Sequence, residues 1–563
     1  MAWLRRSGGA SLSDAPPFMM PEPIWQILSG RGYLQKEEIE NLFQPKLRDL
    51  AHPFSLDGMD IAIARLLKAF QLQEKILIYG DYDLDGTPGL VLLHDGLTRL
   101  GFQNVSVFQP SRLNDGYGLH ENRITEFHKD GVSLILTVDV GITDTASVDY
   151  ANSLGLDVIV TDHHLPKETL PSALAIVNPN KGTCTSSLQH LCGTGVAFYL
   201  ILALRMEMTK LNLLKEDFDP KVLLDLFALA TITDMVPLVR ENRVLVKHGL
   251  IQLAKSQRPG IKKLFRELGF ANKKISSQDI AFRIAPKLNA LTRLEEGVRA
   301  LDVLMASEDD AGRLVDEAIV INQRRVQFQE QAKKISAELV KNYANEKFIW
   351  IYSHDFHPGV ISLIASDLMG QYNVPAFVGC VREDGRIMGS ARAPSKKYNL
   401  QDMLKRAEKA LHKFGGHQLA AGFEVTVDRA EQIQHLLSDY FKENLSLENN
   451  EEPEVMYDAE VKIKELDAEF MNWYENLGPF GMQFEVPKLL LKGVKVKKLK
   501  RLKGSYLKYT LESGAAAIEA PWFSNPVEIP EGSRVDVIFE PQWNDFNGRR
   551  SIQGLIHNMR LNE

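Results

Sequence analysis

The sequence predicts a multidomain α/β protein: a parallel-sheet domain, a long connecting helix, a smaller α/β unit and a C-terminal all-β domain. Three observations carry this. Between Lys75 and about residue 235, short β-branched apolar runs alternate with amphipathic stretches, as in a parallel sheet covered by helices. Residues 309–346 read as one helix with a polar opposite face, the pattern of a helix bridging domains. The last hundred or so residues, 455–563, hold strand-like runs and the hairpin signal Phe546-Asn547-Gly548-Arg549. A length of 563 residues, at roughly 150 per domain, fits three or four domains.

In chain order, residues 1–54 form a helix-like segment with several prolines and no assignable chemistry. Residues 55–308 form the main domain. Its strands are Lys75–Tyr79, Asn104–Phe108, Ser133–Val138 and Asp157–Thr161, and a helical extension follows them. The apolar run Val196–Leu204 is half a bilayer span and reads as a buried helix. In the connecting helix, Phe328, Ala332, Ile335 and Leu339 share one face. The second α/β unit covers 347–442, an acidic linker 443–454, and the β domain 455–563.

Composition narrows the class. The 66 Lys+Arg against 73 Asp+Glu leave a net charge of −7, which excludes polybasic, histone-like binding but not a local basic channel. Three cysteines, Cys184, Cys192 and Cys380, form no C-x-x-C pair and no zinc spacing. A reducing, cytoplasmic setting fits, and no signal peptide or membrane span is expected.

The chemistry gathers at strand ends, where α/β sheets bind ligands. Asp81-Tyr-Asp83-Leu-Asp85-Gly86 follows the first strand, Asp139 the third and Asp162-His163-His164 the fourth, while Asp234 follows a helix. The first loop begins like an EF-hand, but position twelve is Leu92 rather than a bidentate Glu, and a strand precedes it. Singly, each Asp reads as a helix N-cap. Jointly, carboxylates converging without a cation would repel one another strongly. An oxygen-rich set with imidazoles and no thiolate favours Mg²⁺ or Mn²⁺ over Zn²⁺. Two such ions suit attack of an activated water on phosphorus.

With these motifs the sequence resembles the DHH phosphoesterase superfamily, and within it the RecJ-type single-strand-specific 5′→3′ DNA exonucleases. Further matches are Pro110-Ser-Arg112-x₃-Gly116-Tyr-Gly118, Leu191-Cys-Gly-Thr-Gly-Val-Ala197, Ala230-x₃-Asp234-Met-Val-Pro237, Ala285-Pro-Lys-Leu-Asn289, His357-Pro-Gly-Val360, Gly389-Ser-Ala-Arg392 and Phe414-Gly-Gly-His417. The resemblance implies a parallel-sheet DHH domain, a DHH-associated (DHHA1) domain and a C-terminal OB-type domain. It implies Asp83, Asp85, Asp139, His163 and Asp234 as ligands of two Mn²⁺ or Mg²⁺ ions, with Asp139 bridging. Asp81 would be a further ligand or lie just behind, Asp162 would orient the histidines, and His164 would face the scissile phosphate. Arg112, Arg293, Ser390, Arg392, Gly415, Gly416 and His417 would bind substrate and the 5′-terminal phosphate.

The implied activity is two-metal hydrolysis of single-stranded DNA to mononucleotides in repair and recombination. The implied state is a monomer working with a single-strand-binding protein and a RecQ-type helicase. Alternatives are a phosphodiesterase of short oligonucleotides or cyclic dinucleotides, and a non-catalytic single-strand DNA-binding scaffold. The chain departs from the family at Thr87-Pro88-Gly89, Lys287, Thr292, Ser362 and Asp367.

In the β domain, nine Lys/Arg and no acidic residue lie between Val486 and Leu511. Lys495, Lys497, Lys498, Lys500, Arg501 and Lys503, with Tyr506 and Trp543, are the expected nucleic-acid grip: phosphate neutralisation plus base stacking.

Overall fold

The computed structural model describes residues 2–7, 15–343, 347–444, 454–502, 506–524, 526–546 and 549–562. Its first strand, β1 (Trp3–Arg5), lies in the segment expected to be helical; helices Glu22–Gly30 and Lys36–Phe43 follow.

The main domain is a five-stranded, all-parallel sheet of β2 (Ile76–Gly80), β3 (Val105–Phe108), β4 (Leu134–Val138), β5 (Asp157–Thr161) and β6 (Ala175–Val177). Spatial order is β3-β2-β4-β5-β6. The chain therefore reverses its winding between β2 and β4, and a crevice opens there at the strands' carboxyl ends. β6, only three residues long, carries too little periodicity to be read from sequence. β2 and β4 are buried along their whole length, which accounts for their unbroken apolar runs. Pro88 sits in the first turn of helix Gly86–Arg99, where its missing N–H costs nothing. Gly89 is required by close packing: a Cβ there would stand 2.5 Å from Val138 Cγ2.

The long helix spans Ala311–Leu339. It leads into β7 (Ile349–Ser353), β8 (Ala376–Val381), β9 (Arg386–Arg392), β10 (Lys413–Gly416) and β11 (Ala420–Thr426), ordered β10-β11-β9-β8-β7. Ala332 of the helix is buried against this unit, with Phe328, Ile335 and Leu339 packed beside it. Of the acidic linker, 445–453 lie outside the described residues.

The C-terminal strands are β12 (Val455–Tyr457), β13 (Ala459–Glu460), β14 (Leu489–Arg501), β15 (Leu507–Ser513), β16 (Ala516–Trp522), β17 (Arg534–Phe546) and β18 (Arg549–Leu561). β14 pairs with both β15 and β17, which closes β14-β15-β16-β18-β17 into a five-stranded barrel of OB type. β17 and β18 pair up to Phe546↔Arg549, the flanks of the expected hairpin; Asn547-Gly548 lie outside the described residues.

The barrel is fused to the main domain. One continuous apolar core runs from Ile24 and Leu28 through Leu66, Leu136 and Phe227 to Leu489 and Val535, whereas the β7–β11 unit has cores of its own. β1 pairs in parallel with β12, and Arg6 and Arg31 both reach the buried carboxylate of Asp458. Arg243 donates to the carbonyls of Leu477, Gly478 and Pro479, and its guanidinium lies 4.0 Å from the Phe484 ring centre. Among the described residues no helix is long and apolar enough to cross a membrane.

Candidate active site

The acidic loop after β2 is built by its own hydrogen bonds. Asp83 Oδ1 accepts from Asp85 N (2.8 Å) and Gly86 N (3.1 Å), which turns the chain into helix Gly86–Arg99. Residue 86 must be glycine, because a Cβ would lie 2.5 Å from Asp81 O. Thr87, one of the departures, donates through its hydroxyl to Asp83 O (2.6 Å) and accepts from Gln109, which also holds Asp81 O. Both carboxylate oxygens of Asp85 accept backbone N–H groups, Gly193 at 2.6 Å and Thr194 at 2.9 Å, at the N-terminus of helix Gly193–Lys210. The positive end of that helix holds the carboxylate in place.

Asp139 directly follows β4 in the left-handed region, φ 63°, a conformation Asp tolerates better than most residues. It is 2% exposed, and Gly193 packs so closely that a Cβ there would stand 2.5 Å from Asp139 Cβ. After β5, Asp162 is fully buried and spends its oxygens on orientation. It accepts from Ile142 N (3.0 Å), His163 N (2.7 Å), His164 N (3.1 Å) and His164 Nδ1 (2.8 Å). Asn178 and Asn180, past β6, donate to His164 O and His163 O. Asp234 caps helix Leu224–Thr233, whose Thr233 hydroxyl donates to Leu84 O.

These loops bring Asp81, Asp83, Asp85, Asp139, His163, His164 and Asp234 together. His163 Nε2 is 3.2 Å from Asp139 Oδ1 and 3.7 Å from both Asp85 Oδ2 and Asp234 Oδ2. Among the described residues, three sets of potential ligand atoms each lie within 4.8 Å: Asp85/His163/Asp234, Asp81/Asp83/Asp139 and Asp139/His163/His164. Asp81 thus stands among the possible ligands, and Asp139 and His163 each belong to two sets. Among the described residues, buried oxygens of Asp81 (Oδ1), Asp139 (Oδ1) and Asp234 (Oδ2) have no hydrogen-bond partner. Such orphaned carboxylate oxygens, facing one another, fit divalent cations.

The electrostatics agree. Burial first, then the Asp85 and Asp83 charges, hold Asp139 well above the usual carboxylate range and push Asp234 up to about 8. Burial and Asp83 do the same to Asp81. Burial lowers His163, which favours the neutral imidazole that a metal ion could take. Burial works against charge on His164 too, but its hydrogen bond to Asp162 and that residue's charge push it up to about 9. With Nδ1 bound to Asp162, His164 has Nε2–H left to donate. Tyr117 packs edge-on against its ring, with the hydroxyl 3.4 Å from Nδ1.

Beside this cluster four guanidinium groups converge. Arg112 lies 5.4 Å over the Tyr82 ring, within the acidic loop. Arg293 crosses to the second α/β unit and donates to Ser362 Oγ (2.9 Å) and Gly359 O (3.3 Å). Arg392 donates to Ser390 Oγ (3.0 Å) and Ala391 O (2.8 Å). Burial and the charges of Arg112, Arg325 and Arg392 push Arg293 down to about 9. Among the described residues none of these four arginines makes an ion pair with a carboxylate. Gly415 and Gly416 lie on β10, separated from Ser390 on β9 by β11, and His417 N donates to Ala420 O in the hairpin. No hydrogen bond joins these three residues to the arginines among the described residues. Thr292 is buried in helix Ala285–Leu294 with its hydroxyl on Asn289 O, so its extra bulk is taken up inside the packing.

The basic run of the barrel is partly neutralised. Lys497 pairs with Glu512, Arg501 with Glu528 and Lys508 with Glu519. Lys495, Lys498 and Lys500 are exposed and, among the described residues, within ion-pair distance of no carboxylate, although the Lys498 charge acts on Glu519; Lys503 lies outside the described residues. A bulge between Val496 and Lys498 shifts the register by one residue, so Lys498 and Lys500 stay on the exposed face. Tyr506 is exposed and packs edge-on against Phe523, while Trp543 is half-buried beneath the Arg550 guanidinium. Tyr509 and Trp522 belong to the barrel core. Converting Lys498 and Lys500 together to alanine is expected to lower the slope of log K against log salt for single-strand binding by about 1.4, roughly 0.7 per lost phosphate contact. Anisotropy titrations across salt concentrations check this.

Comparison with known proteins adds to this geometry. Residues 75–231 match the DHH family N-terminal domain, 344–443 the DHHA1 domain and 457–558 the RecJ OB domain. The single-stranded-DNA-specific exonuclease RecJ of Bacillus subtilis is 32% identical over 550 residues, covering 96% of this chain and 68% of that protein. The Escherichia coli protein of the same name is 31% identical over 578 residues, covering 99% and 98%. The crystal structure of Thermus thermophilus RecJ in complex with Mn²⁺ superposes with a TM-score of 0.80 at 28% identity, over 97% of this chain and 76% of that one. Three domain matches in order, near-complete coverage of the E. coli relative and a shared architecture lead to one conclusion: the chain belongs to the RecJ family of DHH proteins.

Proposed function

We propose that the protein is a single-stranded-DNA-specific 5′→3′ exonuclease that hydrolyses phosphodiester bonds and releases mononucleotides. The observation that carries this reading is the set of buried carboxylate oxygens around Asp139 and His163 that, among the described residues, lack a hydrogen-bond partner, with the Arg112 guanidinium close enough to act on Asp81. Bound Mn²⁺ or Mg²⁺ would supply an activated water and neutralise charge on the scissile phosphate. Asp83, Asp85, Asp139, His163 and Asp234, with Asp81, would hold the ions. Asp162 keeps His164 cationic at neutral pH and leaves its Nε2–H to stabilise anionic oxygens of the phosphate as the bond breaks. The arginine cluster and Ser390 bind the 5′-terminal phosphate, which sets polarity. The barrel lysines hold the trailing strand. The same family reading makes the protein a cytoplasmic monomer of DNA repair and recombination, served by a single-strand-binding protein and a RecQ-type helicase.

Digestion of 5′- and 3′-labelled single strands in Mn²⁺, with and without a 5′-phosphate, tests this. Mononucleotides released from the 5′ end are expected, with phosphorylated strands preferred. Release from the 3′ end, internal cleavage or intact strands would refute it.

A further inference from the structure

The carbonyls of the acidic loop find their donors in different places. Gln109 Nε2 reaches Asp81 O (3.1 Å), and Thr194 Oγ1 reaches Asp85 O (2.6 Å). Thr87 N donates to Asp83 O (2.9 Å) and Gly89 N to Asp85 O (3.1 Å), each four residues back as in an α-helix. The same register assigns Leu84 O to residue 88, but Pro88 has no N–H to give. Among the described residues no backbone N–H donates to Leu84 O. Its donor is the hydroxyl of Thr233, 2.8 Å away, at the end of helix Leu224–Thr233. Pro88 is one of the chain's departures from its family, so the missing donor is supplied from another element.

A hydroxyl has one proton, and Leu229 O and Ala230 O of its own helix also lie 2.9 Å from Thr233 Oγ1. Ala230 O already accepts Asp234 N (2.9 Å), and both carbonyls belong to the helical ladder. Leu84 is 2% exposed and its carbonyl has no second donor among the described residues, so the proton is best used there. The bond also has a geometric effect. Leu84 O shares a peptide plane with Asp85 N, which donates to Asp83 Oδ1 (2.8 Å). Two hydrogen bonds on opposite sides of one rigid peptide unit therefore connect the helix end at Asp234 to the Asp83 carboxylate. The two bonds polarise one another through that unit. Asp83, Asp85 and Asp234 are held at fixed separations before any cation arrives.

We infer that Thr233 is a positioning residue of the metal site: in place of the N–H that Pro88 lacks, its hydroxyl ties the helix carrying Asp234 to the loop carrying Asp83 and Asp85. This rests on the metal-dependent reading above. Thr233 acts on the ions only through these carboxylates. Without its hydroxyl the Asp85/His163/Asp234 set loses its brace and holds a divalent cation less tightly.

Calorimetric titration of the metal-stripped full chain with Mn²⁺ tests this, beside turnover of a labelled single strand measured across Mn²⁺ concentrations. Thr233→Val keeps the shape and removes the hydroxyl. It is expected to raise the Kd for Mn²⁺ by about tenfold, the low end of the effect of losing an outer hydrogen-bond partner at a metal site. The Mn²⁺ concentration for half-maximal turnover should rise in step, with kcat recovered at saturating Mn²⁺. Thr233→Ser, which keeps the hydroxyl, should bind as wild type. Pro88→Ala returns the N–H and should remove the need for Thr233, so that Thr233→Val combined with Pro88→Ala binds Mn²⁺ as Pro88→Ala alone does. Wild-type affinity in Thr233→Val overturns the inference, and so does a loss that Pro88→Ala leaves uncorrected. If Thr233→Val does not fold, Thr233→Ala replaces it under the same criteria. Wild-type protein that binds no Mn²⁺ refutes the metal site itself rather than its bracing.

Discussion

Replacing Asp139 by asparagine is expected to lower exonuclease turnover by about a thousandfold or more, with single-strand affinity of the barrel unchanged. Asparagine tolerates the left-handed backbone at this position, φ 63°, and fits the space beside Gly193, so the fold is kept. What is lost is the carboxylate belonging to two of the three potential ligand sets. Loss of several kcal/mol of charge stabilisation at the reacting phosphate, at about 1.4 kcal/mol per tenfold, gives that magnitude. Single-turnover digestion measures the first quantity and anisotropy the second. Wild-type turnover in this variant would show that Asp139 holds no catalytic ion.

Adding Mn²⁺ to metal-stripped protein is expected to raise Tm by several degrees at pH 8 and by far less at pH 5. Asp81, Asp139 and Asp234 titrate above the usual carboxylate range in the folded chain, Asp234 at about 8. Their folded-state preference for the proton is therefore a stabilisation fully present below about pH 4. It is lost as pH rises through the shifted values. Above them the bare carboxylates repel, and a cation takes over the protons' role. Below them protons compete with the metal. An ion at a hundred times its Kd contributes about 2.7 kcal/mol, worth roughly 2–4 °C per kcal/mol in a large domain. Scanning calorimetry at both pH values reads the difference. An identical Tm with and without Mn²⁺ at pH 8 would exclude binding by this cluster.

The acidic cluster was legible in the sequence because a parallel sheet ties strand ends to one place. Once Asp81–Asp85, Asp139 and Asp162–His164 were seen to follow strands, their convergence followed from topology. Residues that act from elsewhere were not legible. Asn178 and Asn180 hold the histidine backbone from beyond a three-residue strand, and Thr233 reaches Leu84 O from a helix whose pattern speaks only of packing. Nor does a run of lysines disclose its cross-strand partners, so the neutralisation of Lys497 and Arg501 by Glu512 and Glu528 needed the barrel register. Trp3–Arg5 was beyond reach for a similar reason: three residues show no periodicity, and their partner lies at Val455–Tyr457.

That last pairing has a bearing on how the protein is made. Roughly 450 residues separate Trp3 from Val455, so at about 5–20 residues per second the ribosome takes on the order of 25–90 s to deliver the partner strand. Until then, the apolar faces of the early helices, Ile24, Trp25, Ile27 and Leu28, are synthesised without the barrel that completes their cover. The nascent chain carries an open flank until those strands emerge. Late chain closure, rather than formation of the parallel sheet, is then the stage at which a truncated or stalled product would aggregate.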